Sequence, residues 1–309
     1  YQWRRTKKLL LIRTGLFPMN LLEPEFIKKL EYLSILSRKV FKGSLKGEHK
    51  SKKKGISPEF SDYRNYTIGD DLRYIDWNLY GRLEKLFLKL FLEEEDLYVY
   101  LLLDTSASMD WGDPKKLDYS IKVIAALGYI ALNNMDRVSL MRFDSNMYCE
   151  INSVRGKGQF LNLVQNLQSI KGKDSTNLNE ALKRFALRIS KPGLVIIISD
   201  FLDEKGFEQG LKFLLYRKFE PFLIQVLAPQ ELNPEINGNI KLIDIETNLT
   251  KELTLNQTLI AFYKKNLNNY IDRLHNFCNE KGYQHIISST SLPFDNLILN
   301  TLRRGELIR

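Results

Sequence analysis

A chain of 309 residues, 44% of them hydrophobic, can fill a sizeable core as one large or two modest domains, which excludes general disorder. The formal net charge of +9 is unevenly placed: residues 1–56 hold 15 Lys and Arg against 4 Asp and Glu, a net of +11, and the remaining 31 against 33 leave a body of net −2 that is not basic, so any nucleic-acid reading rests on the N-terminal segment alone. Cys149 and Cys278 are far apart and form no motif, and His49, His275 and His285 lack ligand spacing, which excludes a disulfide framework and argues against zinc.

The two isolated cysteines point to a reducing, cytoplasmic setting. The longest apolar run, Val123 to Leu132, is about half the roughly 20 residues of a membrane span. At the N-terminus, Arg4, Arg5, Lys7 and Lys8 precede Leu9 to Ile12, an apolar stretch shorter than the about 7–15 residues of a signal peptide. With Tyr1 first and Met19 ahead of an ordinary helix start, residues 1–18 read as an upstream extension or vector remnant, set aside from the fold.

Residues 19–56 read as a helix and a basic linker. Phe26, Leu30, Leu33, Leu36 and Val40 are spaced by four and three, one apolar face of a helix over 25–41. Lys42 to Gly55 is simplest as a solvated linker, with Lys46, Lys50, Lys52, Lys53 and Lys54 offering a basic contact for an acidic partner or polyanion as the alternative. Residues 57–95, dense in aromatics and paired charges, read as a small β subdomain packed on the sheet. In it Arg64, Asp70, Asp71, Arg73, Asp76 and Arg82 form ion pairs and hydrogen bonds, and Leu86 to Glu95 has strand alternation.

Residues 96–309 form the main domain. Tyr98 to Leu103 is an apolar run without helical spacing, as a strand buried on both faces reads. Asp113-Pro114 reads as an N-cap and first helical residue, opening a helix to about Asn133. Strands follow at 137–143 and, after the turn Asp144-Ser145-Asn146, at 147–151 as an antiparallel edge. Helices are expected at 159–168, 178–189, 207–216, 255–281 and 293–302, strands at 194–199, 221–227 and 283–288, and a short hairpin within 229–252. This alternation predicts an α/β fold with a doubly wound, mostly parallel sheet of Rossmann type.

The chemistry gathers where strands end. Leu101 to Met109 passes from apolar residues into Asp104, Ser106 and Ser108, whose alternation lets a loop turn all three side chains to one point at the carboxyl end of a central strand. Asp174 to Asn177 precedes a helix, and Ser199-Asp200 follows Ile198, so the three segments share one rim. Hydroxyls and carboxylates suit a hard cation, Mg2+ or else Mn2+ or Ca2+, and a shell rich in neutral hydroxyls leaves the ion seeking a further carboxylate. A capping turn without metal is the plainer reading of Asp104, Ser106 and Ser108 alone.

Enzyme signatures are weak. A phosphoryl-accepting Asp104 would want a second Asp where Ser106 stands. Leu167 stands where a nucleotide-binding loop ending in Gly172-Lys173 needs glycine, and neither Ser106 nor Ser108 lies in a Gly-x-Ser-x-Gly elbow.

The arrangement resembles the von Willebrand factor A domain and its metal-ion-dependent adhesion site: Asp-x-Ser-x-Ser after the first strand, a Thr before a later helix and an Asp after the fourth strand. The resemblance implies that Ser106, Ser108 and Thr176 supply hydroxyls and that Asp104 and Asp200 act directly or through water. Ser175 stands where a Gly often precedes that Thr. A second resemblance rests on Gly69-Asp-Asp-Leu-Arg-Tyr-Ile-Asp-Trp77, similar to the signature of a bacterial family of unknown function, domain of unknown function fifty-eight, whose members accompany MoxR-type AAA+ ATPases. It implies a non-enzymatic adaptor that binds an exposed Asp or Glu of such an ATPase or its client. A magnesium-dependent phosphoesterase and polyanion binding through the basic N-terminal segment stand as alternatives.

Overall fold

The computed structural model describes residues 21–44, 60–91, 97–172, 175–234, 238–243, 250–255 and 257–303. The chain divides into two compact units, one of residues 42–96 and one of residues 1–41 and 97–309. The basic contact expected at Lys46, Lys50, Lys52, Lys53 and Lys54, the extension 1–18 and Asp174 lie outside the described residues.

Helix α1 (Pro24–Ser44) packs its predicted face on the larger unit, with Leu30 and Leu33 buried, Phe26 against Phe294 at 5.2 Å between ring centroids, and Lys29 paired with Asp295 at 3.2 Å. The smaller unit pairs β1 (Phe60–Asn65) with β2 (Phe87–Phe91) antiparallel, and helix α2 (Trp77–Leu83) lies between them in the chain. Its acids act as staples. Asp70 takes Arg64 at 2.5 Å and the Thr67 N–H at 2.9 Å, and Asp71 holds Arg73. Asp76 caps α2 through the Asn78 and Leu79 N–H groups and binds the Tyr63 hydroxyl at 2.8 Å and Lys89 at 3.1 Å.

The larger unit runs β3 (Tyr98–Asp104), α3 (Lys116–Asn133), β4 (Arg137–Phe143), β5 (Met147–Arg155), α4 (Phe160–Ser169), α5 (Leu178–Arg188), β6 (Leu194–Ser199), α6 (Glu208–Tyr216), β7 (Glu220–Leu227) and a single turn α7 (Pro229–Leu232). The hairpin β8 (Gly238–Ile243) and β9 (Thr250–Leu255), helix α8 (Gln257–Lys281), β10 (Gln284–Ser289) and α9 (Phe294–Arg303) complete it. The main sheet has the order β10-β7-β6-β3-β4-β5, parallel throughout except for β5 on β4. It is a doubly wound, mostly parallel sheet with one antiparallel edge strand.

Pleating of β3 sends Val99, Leu101 and Leu103 into a core with α1, α3, α4 and α9, and Tyr100 and Leu102 into a second core with α5, α6 and α8. Both faces of the central strand are therefore dry, which is why it reads as an unbroken apolar run.

One expected boundary moves. Asp113 and Pro114, joined by a cis peptide bond, precede α3 and do not open it; the helix starts at Lys116. Residues 112–114 are drawn instead to the segment after β7. Gln230 Nε2 donates to the Asp113 carbonyl at 2.8 Å, and Gly112, at φ +99°, lies so close to Ala228 that an added Cβ would stand 2.7 Å from the alanine methyl.

Candidate functional site

Asp104 ends β3 with no exposed surface, so its carboxylate oxygens need partners from the loop. Oδ1 accepts the Ser106 N–H at 2.9 Å, closing a tight Asx-type turn, and Oδ2 accepts the Ser199 hydroxyl at 2.6 Å. Thr105 ties the same loop to β4 by donating its N–H and hydroxyl to the Phe143 carbonyl. The turn brings the Ser106 and Ser108 hydroxyl oxygens to 2.9 Å from each other.

Asp200 follows β6, the fourth strand of the main sheet in chain order. Its Oδ1 accepts the Leu202 N–H at 3.1 Å, and the Ser108 side chain also hydrogen-bonds to it. Ser199 links the two acids: it donates to Asp104 and accepts the Phe201 N–H at 2.9 Å, while Phe201 takes φ +56° to make the turn. Asp104, Ser106, Ser108 and Asp200 thus meet at the carboxyl end of the sheet.

Thr176 comes from the loop before α5. Nearby Gly172 approaches the motif loop so closely that an added Cβ would lie 2.8 Å from Asp110 Cβ. The α5 start is tied to the β6 loop by the Leu178 N–H on Asp203 Oδ2 at 2.8 Å. The Thr176 Oγ1 atom is buried with no hydrogen-bond partner among the described residues.

The electrostatics are lopsided. Burial, reinforced by the charge of Asp200, pushes the Asp104 carboxyl up to about 7 against the pull of its hydrogen bonds from Ser199 and Ser106. Burial likewise pushes Asp200 up, but the charge and hydrogen bond of Lys116, with the hydrogen bonds from Leu202 and Ser108, together hold it below the usual carboxylate range. Lys116 has no exposed surface; its Nζ lies 2.6 Å from Asp200 Oδ2 and 2.6 Å from Glu231 Oε1. Glu231 on α7 reaches back with its other oxygen to the Ala228 N–H at 2.8 Å.

Lys116, Glu231 and the linking role of Ser199 were not anticipated. For Lys116 a signal exists: Ser120, Ile124 and Leu127 follow it at helical spacing and all are buried, so the lysine stands on an inward face. For Glu231, distant in sequence and in a region of scattered Pro and Asn, there is none.

The family model described as "Protein of unknown function DUF58" matches residues 62–271. The chain belongs to the DUF58 family. The match takes in the smaller unit from within β1 and the larger unit through all of the residues above. Relatives of this DUF58 chain include the uncharacterized proteins Rv1480 of Mycobacterium tuberculosis and Mb1516 of Mycobacterium bovis, each 24% identical over 246 residues, 77% of this chain and 76% of theirs. Among solved structures it is similar to BatB from Bacteroides thetaiotaomicron (15% identity, TM-score 0.42) and to an aerotolerance-related membrane protein from Bacteroides fragilis (16%, 0.43), covering 67% of this chain and 99% of each. No helix among the described residues is long and apolar enough to cross a membrane.

The residues fit a hard cation: the donors are hydroxyl and carboxylate oxygens, and the buried Thr176 hydroxyl has no partner among the described residues.

Proposed function

We propose that this chain is a divalent-cation-dependent protein-interaction module that captures an exposed Asp or Glu of a protein partner, acting as an accessory protein of a MoxR-type AAA+ ATPase. Ser106, Ser108 and Thr176 would hold the ion by their hydroxyls, with Asp104 and Asp200 acting directly or through water. When bound, Mg2+ or Mn2+ supplies a positive charge that a neutral-oxygen shell leaves only partly satisfied, so an incoming carboxylate is attracted. The chain's own residues do the rest: β3 and β6 fix the two acids, Ser199 spaces them, and Thr105 anchors the motif loop to β4.

The observation that supports this reading is the buried Thr176 hydroxyl, without a partner among the described residues, beside a rim where Asp104, Ser106, Ser108 and Asp200 gather oxygens. The test is retention of a purified MoxR-type ATPase on the immobilised chain in Mg2+ and in chelator. Retention lost in chelator and in a folded Asp104→Ala variant is expected; equal retention in all three conditions would refute it.

A further inference from the structure

The Lys116 ammonium is buried between two carboxylates, and each ion taken out of water costs several kcal/mol before its partners compensate. Such a group is weak support for stability, because apolar residues of similar volume commonly serve as well. What it does fix is geometry. Three separate pieces of chain, the start of α3, the end of β6 and the turn α7, meet at one Nζ, and α7 is itself held by Glu231 closing on Ala228. The Gln230 bond to Asp113 and the close approach of Gly112 to Ala228 stitch the same two segments a second time.

We propose that Lys116, anchored by Glu231, is a positioning residue of the cation site that keeps Asp200 Oδ2 out of the ion's coordination shell. This rests on the cation reading above. The ammonium sits 2.6 Å from Oδ2 and the Leu202 N–H on Oδ1, so a cation approaching Oδ2 would meet the fixed positive charge of Lys116, and Asp200 acts on the ion through water. The direct ligands are then the hydroxyls of Ser106, Ser108 and Thr176. Two consequences follow. The resting ion is held loosely, since a neutral shell and a nearby ammonium both weaken it, and it keeps a larger share of its charge for a partner's carboxylate. Lys116 thereby sets the exchange between affinity for the metal and affinity for the partner.

The test uses Mn2+ alone, its dissociation constant by calorimetry and its inner-sphere waters by proton relaxation, on the full chain. Lys116→Met with Glu231→Gln removes the ammonium and its counter-charge together, and the glutamine oxygen can still accept from Ala228. Freed Asp200 Oδ2 then replaces a water: Mn2+ binding tightens by about 10-fold or more and the relaxivity of bound Mn2+ falls, the scale on which outer-shell partners tune metal sites. Glu231→Gln alone leaves the ammonium without its second acid and weakens Mn2+ binding by about 10-fold; it decides the matter if the double variant does not fold. Folded variants that bind Mn2+ within about twofold of the parent, with unchanged relaxivity, overturn the proposal while the cation site stands. No Mn2+ binding by the parent and by both variants overturns the cation reading and this proposal with it.

Discussion

His285 makes stability depend on pH in a calculable way. It lies on β10 at 8% exposure, with Nδ1 3.4 Å from His275 Nδ1 on α8 and Nε2 without a partner among the described residues. Burial, together with the charge of His275, lowers it from 6.5 to about 4. Because the folded value is depressed, the unfolded chain takes up this proton first as pH falls. The stability contributed by the neutral ring is complete above about pH 6.5, is lost between 6.5 and about 4, and is constant below. At about 1.4 kcal/mol per unit, the 2.5-unit gap amounts to roughly 3.5 kcal/mol, of which about 2 kcal/mol has gone by pH 5. His285→Phe keeps a ring of similar size and removes both the titration and the unpartnered nitrogen. Urea unfolding followed by circular dichroism between pH 4.5 and 8 should give a parent curve that falls away from the variant's below pH 6.5. Carboxylates contribute equally to both proteins, so the difference isolates the imidazole. Parallel curves would refute the reasoning.

On the proposed reading, Mg2+ should raise the parent's melting temperature, by an amount corresponding to about 2.7 kcal/mol at a hundredfold excess over the dissociation constant, and Asp104→Ala should abolish that rise; a shift of equal size in both would count against the site. Ser199→Ala removes the donor to Asp104 and the acceptor for Phe201. It should weaken Mn2+ binding about 10-fold to 100-fold by calorimetry, whereas unchanged affinity would make the serine a bystander. Gly128→Ala would place a methyl 2.4 Å from Leu163 Cδ2 and 3.3 Å from Leu101 Cδ1, and overpacking of that kind costs about 1–3 kcal/mol, visible as a lowered thermal midpoint; an unchanged midpoint would mean α4 yields freely.

Much of the architecture was legible because it is written locally. Tyr98 to Leu103 and Leu194 to Ile198 are apolar on both faces, and a strand covered by helices on both sides has no other way to read. The motif residues were legible for the same reason, since a turn that gathers Asp104, Ser106 and Ser108 needs only five consecutive positions. The start of α3 was not: Asp113-Pro114 has the chemistry of a cap, but Gln230 and Ala228, more than a hundred residues later, hold that turn elsewhere. Lys116 was passed over because a lone lysine on a helix is ordinarily a solvated one; only the 84 and 115 residues that separate it from Asp200 and Glu231, closed by the fold, give it partners.

The hydroxyl of Ser199 on Asp104 joins residues 95 positions apart, and it depends on β6 lying beside β3 with Leu103 opposite Ile198. A slip of one residue in that parallel pairing would turn the serine to the other side of the sheet. The constellation therefore behaves as a register lock read at the rim: it comes into being only after a slow, long-range pairing is correct. On the proposed reading, an ion held by both Asp104 and Asp200 would bind only the finished molecule, so its stabilisation would appear as slower unfolding with the rate of folding unchanged.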